Sequence, residues 1–184
     1  TSVAANPAYT YTQTGLYTVR LTVSDGVNST LSTPLFISAG NSPSATILSP
    51  QDGGTFVAGD TIVYSGDAGD TEDGTLPAGA FVWNIDFLHE GHVHPGTPVT
   101  GVKSGSFTIS TSGHDFSGNT RYRIRLTVTD SSGLQDSKSV VVYPQKVNLA
   151  FDSVPTGLTL QVDGIDRATP FVYDTLVYFT HTLG

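Results

Sequence analysis

The chain has 184 residues, with 20 Gly, 10 Pro, no Cys, no Met, one Trp and a formal net charge of -8. The absence of cysteine excludes disulfides, thiolate zinc sites and a cysteine nucleophile. An acidic chain lacks the basic face that releases phosphate counterions, so no nucleic-acid partner is expected. No apolar run approaches the ~20 residues that span a bilayer, so no membrane partner is expected either. No window holds a 3.6-residue apolar period, whereas Thr, Ser, Val, Gly and Pro are frequent, which predicts an all-β chain rich in turns.

In chain order, strands are predicted first at residues 8–12, 16–24 and 33–38. The second alternates strictly. Tyr17, Val19, Leu21 and Val23 point one way and Thr18, Arg20, Thr22 and Ser24 the other, up to the turn at Asp25-Gly26. Strands at 45–49, 60–66, 81–87, 106–110, 121–130 and 138–143 follow, each closed by Gly, Pro or Asp. The stretch Tyr122-Arg-Ile-Arg-Leu-Thr-Val-Thr-Asp130 repeats the pattern of residues 17–25 about a hundred residues later, which predicts repeated β-sandwich modules. The last strands are expected at 147–151, 154–162, 169–173 and 177–183, with a hairpin turn at Asp163-Gly164. Three pieces result: residues 1–41, 44–144 and 145–184, of which only the middle one is long enough for a complete sandwich.

Residues Asn6-Pro-Ala-Tyr-Thr-Tyr11 and Gly15 to Gly26 resemble the C-terminal half of a PKD domain, an Ig-like sandwich. The half with that family's Trp-Asp-Phe-Gly-Asp-Gly signature is not in this chain. Asp67 to Leu76, Trp83, Gly113-His114 and Tyr122 to Gly133 resemble a bacterial Ig/PKD-like module. More narrowly, Leu88 to Pro95, Gly101 to Phe107, Ser112 to His114 and Tyr122 to Val128 look like modules C-terminal to secreted glucose/sorbosone-dehydrogenase-like and related sugar-active proteins. Pro155 to Gly164 with Thr169-Pro-Phe looks like part of a PEGA-type β-module. These resemblances imply tandem Ig-like (PKD-type) modules, incomplete at both ends. They also imply a non-catalytic accessory role in a secreted bacterial protein, with the parent enzyme's catalytic domain as partner and polysaccharide as a second candidate.

Two groups of side chains carry candidate chemistry. His89, His92, His94 and His114 hold four of the five histidines. His92 and His94 share a face if the chain is extended there, and imidazoles so spaced suit zinc, copper or nickel. His114 is expected from a neighbouring strand, with Asp86 or Asp115 orienting the rings. The alternative is that these histidines hydrogen-bond within a long polar loop and fix its shape. Asp67, Asp70, Glu72 and Asp73, among glycines, form a loop that offers oxygen ligands to calcium without EF-hand spacing, or else a solvated turn. Trp83 shares one face with Phe81, Ile85 and Phe87, with Val82, Asn84 and Asp86 on the other, and is therefore assigned to the core rather than to a sugar platform. No nucleophile elbow, phosphate loop or dinucleotide fingerprint is present, so no enzyme activity is expected.

Overall fold

The computed structural model describes residues 2–113 and 116–184. Four short strands come first: β1 (Gly15–Val19), β2 (Thr22–Ser24), β3 (Ser29–Leu31) and β4 (Leu35–Ala39). β1 pairs antiparallel with β4 and β2 with β3. Two of the expectations change here. Residues 8–12 form no strand, and the predicted strand 16–24 breaks at Arg20-Leu21. Its alternation does not produce a buried face. Val19, Leu21 and Val23 are exposed and Tyr17 is half-buried. A two-stranded ribbon has no second layer to cover its apolar side, and isolated ribbons are marginal in water.

The next ten strands are β5 (Ser44–Ser49), β6 (Thr55–Phe56), β7 (Thr61–Asp70), β8 (Gly74–Thr75), β9 (Phe81–His89), β10 (His92–Pro95), β11 (Val99–Thr100), β12 (Ser104–Thr108), β13 (Thr120–Thr129) and β14 (Gln135–Pro144). One sheet has the order β10-β9-β13-β14-β6, with β11 also on β9. The other has the order β12-β7-β5, with β8 on β7. Their inner faces close over one core that contains Tyr64 of the smaller sheet and Phe81, Trp83, Ile124, Leu126 and Val128 of the larger. Trp83 is fully buried, and its indole N–H donates to the Val102 carbonyl at 3.0 Å. Tyr122 sits at the end of this row, half-buried, where burial raises its hydroxyl pKa.

Gly66 shows how closely the two layers approach. A Cβ there would lie 2.8 Å from Leu126 Cδ2 and 3.1 Å from the Trp83 ring, so only glycine fits. The second copy of the alternating pattern, in β13, thus meets the opposing sheet that the first copy lacks.

Asp136 of β14 joins the two sheets at an edge. Its Oδ2 accepts the Ala45 N–H of β5 at 2.9 Å, and this bond above all holds the carboxyl below its usual range. A carboxyl lowered by folding stabilises the fold above its unfolded pKa of about 3.9, and that contribution disappears as pH falls through the folded value. Asp136→Asn is therefore expected to lose stability at neutral pH and to show a shallower further loss below about pH 4. Thermal melts of both proteins across that range check it. Parallel acid profiles would contradict the assignment.

The remaining strands are β15 (Lys146–Phe151), β16 (Thr159–Val162), β17 (Ile165–Ala168) and β18 (Phe171–Leu176). β15 pairs with β18 and β16 with β17. The expected Asp163-Gly164 hairpin forms, with φ of 51° and 82°, the sign pair of a type I′ turn. This C-terminal unit rests on the sandwich. The Ala58 N–H donates to Val177 O at 3.0 Å, the Thr180 N–H donates to Thr111 O at 2.8 Å, and Leu176 belongs to the main core. No helix among the described residues is long and apolar enough to cross a membrane.

Candidate metal centre

β9 and β10 form a hairpin whose two loop residues are Glu90 and Gly91. Both have positive φ, 43° and 84°, as a type I′ turn requires. Glycine accommodates this freely and Glu90 does not, so the turn is held partly by its surroundings. The Asn119 N–H donates to Glu90 Oε1 at 3.2 Å. The turn sets the register: His92 lies opposite His89, and His94 opposite Phe87. Directly opposed residues of an antiparallel pair share a face, so the three histidines and Phe87 form one patch.

That patch continues the inner face of β9, where Phe81, Trp83 and Phe87 are buried. Past Phe87 the face runs out from under the opposing sheet, and the apolar row gives way to imidazoles. His89 is half-buried, and His92 and His94 are exposed. Phe87 forms the floor, 6.2 Å from the His89 ring and 6.0 Å from His94. The His92 ring lies 5.4 Å from His89 and 4.8 Å from His94.

Donor nitrogens of the three rings all lie within 4.8 Å of one another. Tetrahedral zinc with Zn–N bonds of about 2.0–2.1 Å needs its donors about 3.3 Å apart. Imidazole rings turn easily about χ2, so small rotations close the difference. A donor set of three imidazoles without thiolate suits zinc, copper or nickel and is a poor match for calcium or magnesium. Tetrahedral coordination leaves one position for water or another donor.

The position of these histidines corrects the expected long loop. They stand on paired strands at the sheet edge, and the segment after Gly91 pairs along β9 as β10 and β11 rather than folding over the sheet. His114 and Asp115 lie outside the described residues. Asp86 does not orient the rings. It lies on the opposite face of β9, 4% exposed, where Oδ2 accepts from Arg123 Nη2 at 2.7 Å and Nε at 3.2 Å.

The four carboxylates of the glycine-rich turn go to separate partners. Asp67 pairs with Lys103 at 2.7 Å. Asp70 Oδ1 accepts the N–H groups of Glu72 and Asp73 at 2.8 and 2.9 Å, and the Asp73 bond above all lowers its pKa. Glu72 accepts from the Asn41 side chain at 2.8 Å, and Asp73 from the Ser131 N–H and hydroxyl, both at 2.8 Å. The turn thus ties residue 41 and the β13–β14 loop together. Among the described residues the acidic groups do not gather into a ligand set, whereas the three histidines do.

The fifth histidine, His181, was not among the sequence candidates. Its Nδ1 lies 2.5 Å from Asp163 Oδ2 and its Nε2 2.7 Å from Thr175 Oγ1. Burial alone would raise the Asp163 carboxyl, but hydrogen bonds from His181 and the Thr182 N–H outweigh it and hold the pKa below the usual range. The order Thr-His-Asp is that of a hydrolase triad. Thr175, however, is 2% exposed, so its hydroxyl is closed to substrate. The row fastens the last residues onto β16, alongside the Val162–Leu183 bridge.

The chain matches no family model and no curated protein.

Proposed function

We propose that this chain is a non-catalytic accessory β-sandwich region of a larger secreted, bacterial, sugar-active protein, and that its own chemistry is to bind one zinc or copper ion. The observation that carries the metal reading is the convergence of His89, His92 and His94 within 4.8 Å on one face of a tight hairpin. Three imidazole nitrogens this close are a candidate ligand set, not a requirement of the turn, since opposed polar side chains of any kind would solvate that edge. The accessory role is supported by the resemblance to PKD-type modules and by an all-β frame in which the Thr175 hydroxyl of the Thr-His-Asp row is buried. A sugar platform built on Trp83 has no support, because that ring fills the core.

Calorimetric titration of the chain with Zn²⁺ and with Cu²⁺ at neutral pH tests the reading. One ion per chain is expected, with the heat abolished in the His92→Ala/His94→Ala variant. No heat, or equal heat in the variant, would contradict it.

A further inference from the structure

The hairpin that carries the three histidines is connected to the C-terminal unit by two separate sets of contacts. The first is polar and meets at Gly118-Asn119. From one side, Glu90 Oε1 accepts the Asn119 N–H at 3.2 Å. The same carboxylate packs so closely on Gly118 that a Cβ there would lie 1.9 Å from Oε1. From the other side, Asp174 Oδ2 of β18 accepts the Gly118 N–H at 3.0 Å, and Lys146 of β15 donates to both Gly118 O and Asp174 Oδ2, the latter at 2.7 Å. One peptide is thus gripped by the metal hairpin and by the first and last strands of the C-terminal unit. Gly118 has φ of 67°, and any side chain at this point would displace Glu90.

The second set is aromatic. Phe87, the floor under His89 and His94, packs edge-to-face on Phe116 at 5.4 Å. Phe116 packs edge-to-face on Phe179 at 5.5 Å, and Phe179 lies 5.2 Å from His181 of the C-terminal fastening. The rings run without a gap from the imidazole patch to the C-terminal unit. Both paths end on the C-terminal unit, one on β15 and β18 and the other at Phe179 beyond β18, although they share no residue.

We propose that the ion at the three-histidine hairpin is an inter-unit staple: its binding strengthens the docking of residues 145–184 on the sandwich. This rests on the metal reading above and assigns the ion its task. An ion that draws His89 and His92 together fixes the turn between them, and that turn presents Glu90 to Gly118-Asn119. Glu90 sits at a φ that its residue type disfavours, so the free hairpin has reason to relax from this shape and the bound one does not. A ligand that favours one arrangement of a shared contact stabilises whatever else depends on it, and the effect is reciprocal. Docking of the C-terminal unit must therefore strengthen metal binding by the same factor.

Amide hydrogen exchange of the full chain, with and without Zn²⁺ and with saturation verified by calorimetry, tests the proposal. Zinc is expected to slow exchange in β15 and β18 by about fivefold or more, the lower end of ordinary coupling. Glu90→Asn keeps a residue suited to positive φ but shortens the side chain by one methylene, so it no longer reaches Asn119. This variant should bind zinc and lose much of the slowing. Lys146→Ala should weaken zinc binding although it touches no ligand. Zinc that binds without changing exchange in β15 and β18 would overturn the staple and leave the metal site standing. Full slowing in Glu90→Asn together with unchanged zinc affinity in Lys146→Ala would also overturn it. Absence of zinc heat in the unaltered chain would remove both readings together.

Discussion

Trp83→Ala is expected to lower the unfolding free energy by about 3–5 kcal/mol, the range for truncating a large buried aromatic. The ring is fully buried, at 4.9 Å from Tyr64 of the facing sheet, and it covers the space that Gly66 leaves open. Its removal opens a cavity between the two layers at the centre of the larger sheet. It also leaves the Val102 carbonyl without the indole N–H. Because the loss comes from volume as well as from the hydrogen bond, Trp83→Phe should cost less than Trp83→Ala. Urea unfolding of the three proteins gives the order. A cost for Ala below about 1 kcal/mol, as for an ordinary surface substitution, would mean that Trp83 is not part of the core.

His92→Ala is expected to do the reverse: leave the fold intact and weaken metal binding. His92 is exposed and stands on an edge strand, so its truncation should change stability by no more than about 0.5 kcal/mol. The loss in zinc affinity should exceed the roughly 10–100-fold that follows removal of a residue merely orienting a ligand. Asp67→Ala serves as the control, because that carboxylate is engaged with Lys103 and lies on the other sheet. Protons compete with the ion for imidazole nitrogen, so acidification should weaken binding in the unaltered chain. Equal affinity of His92→Ala and the unaltered chain at neutral pH would remove this histidine from the ligand set.

The two effects lie on different levels of the molecule, and they were legible in the sequence to different degrees. Period-two alternation in 81–87 and 122–128 identified the inner faces of β9 and β13, because each inward position there meets a second sheet. The same alternation at 17–23 gave a misleading picture. A pattern records which side is apolar, not whether anything covers it, and Val19, Leu21 and Val23 are exposed. The Asp163-Gly164 hairpin was readable because that dipeptide favours two successive positive φ values.

The imidazole patch was half legible. Spacing alone put His92 and His94 on one side. That His89 joins them depends on Glu90-Gly91 being a two-residue turn, which the Gly at the second position signals but the Glu at the first obscures. The Glu90–Asn119 bond and the Lys146–Asp174 pair complete the picture from residues 28 or more positions apart, and no local pattern announces such contacts. His181 bonds Asp163 and Thr175 from 18 and 6 positions away, and no local pattern announces that either. The carboxylate turn looked like a cation loop by composition. Tertiary partners at Asn41, Lys103 and Ser131 instead absorb three of its four acids.

X-ray absorption at the zinc edge, on the full chain loaded with one equivalent of Zn²⁺ at neutral pH, tests the central claim most directly. Three imidazole nitrogens at about 2.0–2.1 Å, with one further light-atom donor, are the predicted shell. The imidazole count should fall to two in His92→Ala. A first shell of oxygens alone, or one unchanged by that substitution, would place the ion elsewhere and contradict the assignment of His89, His92 and His94 as its ligands.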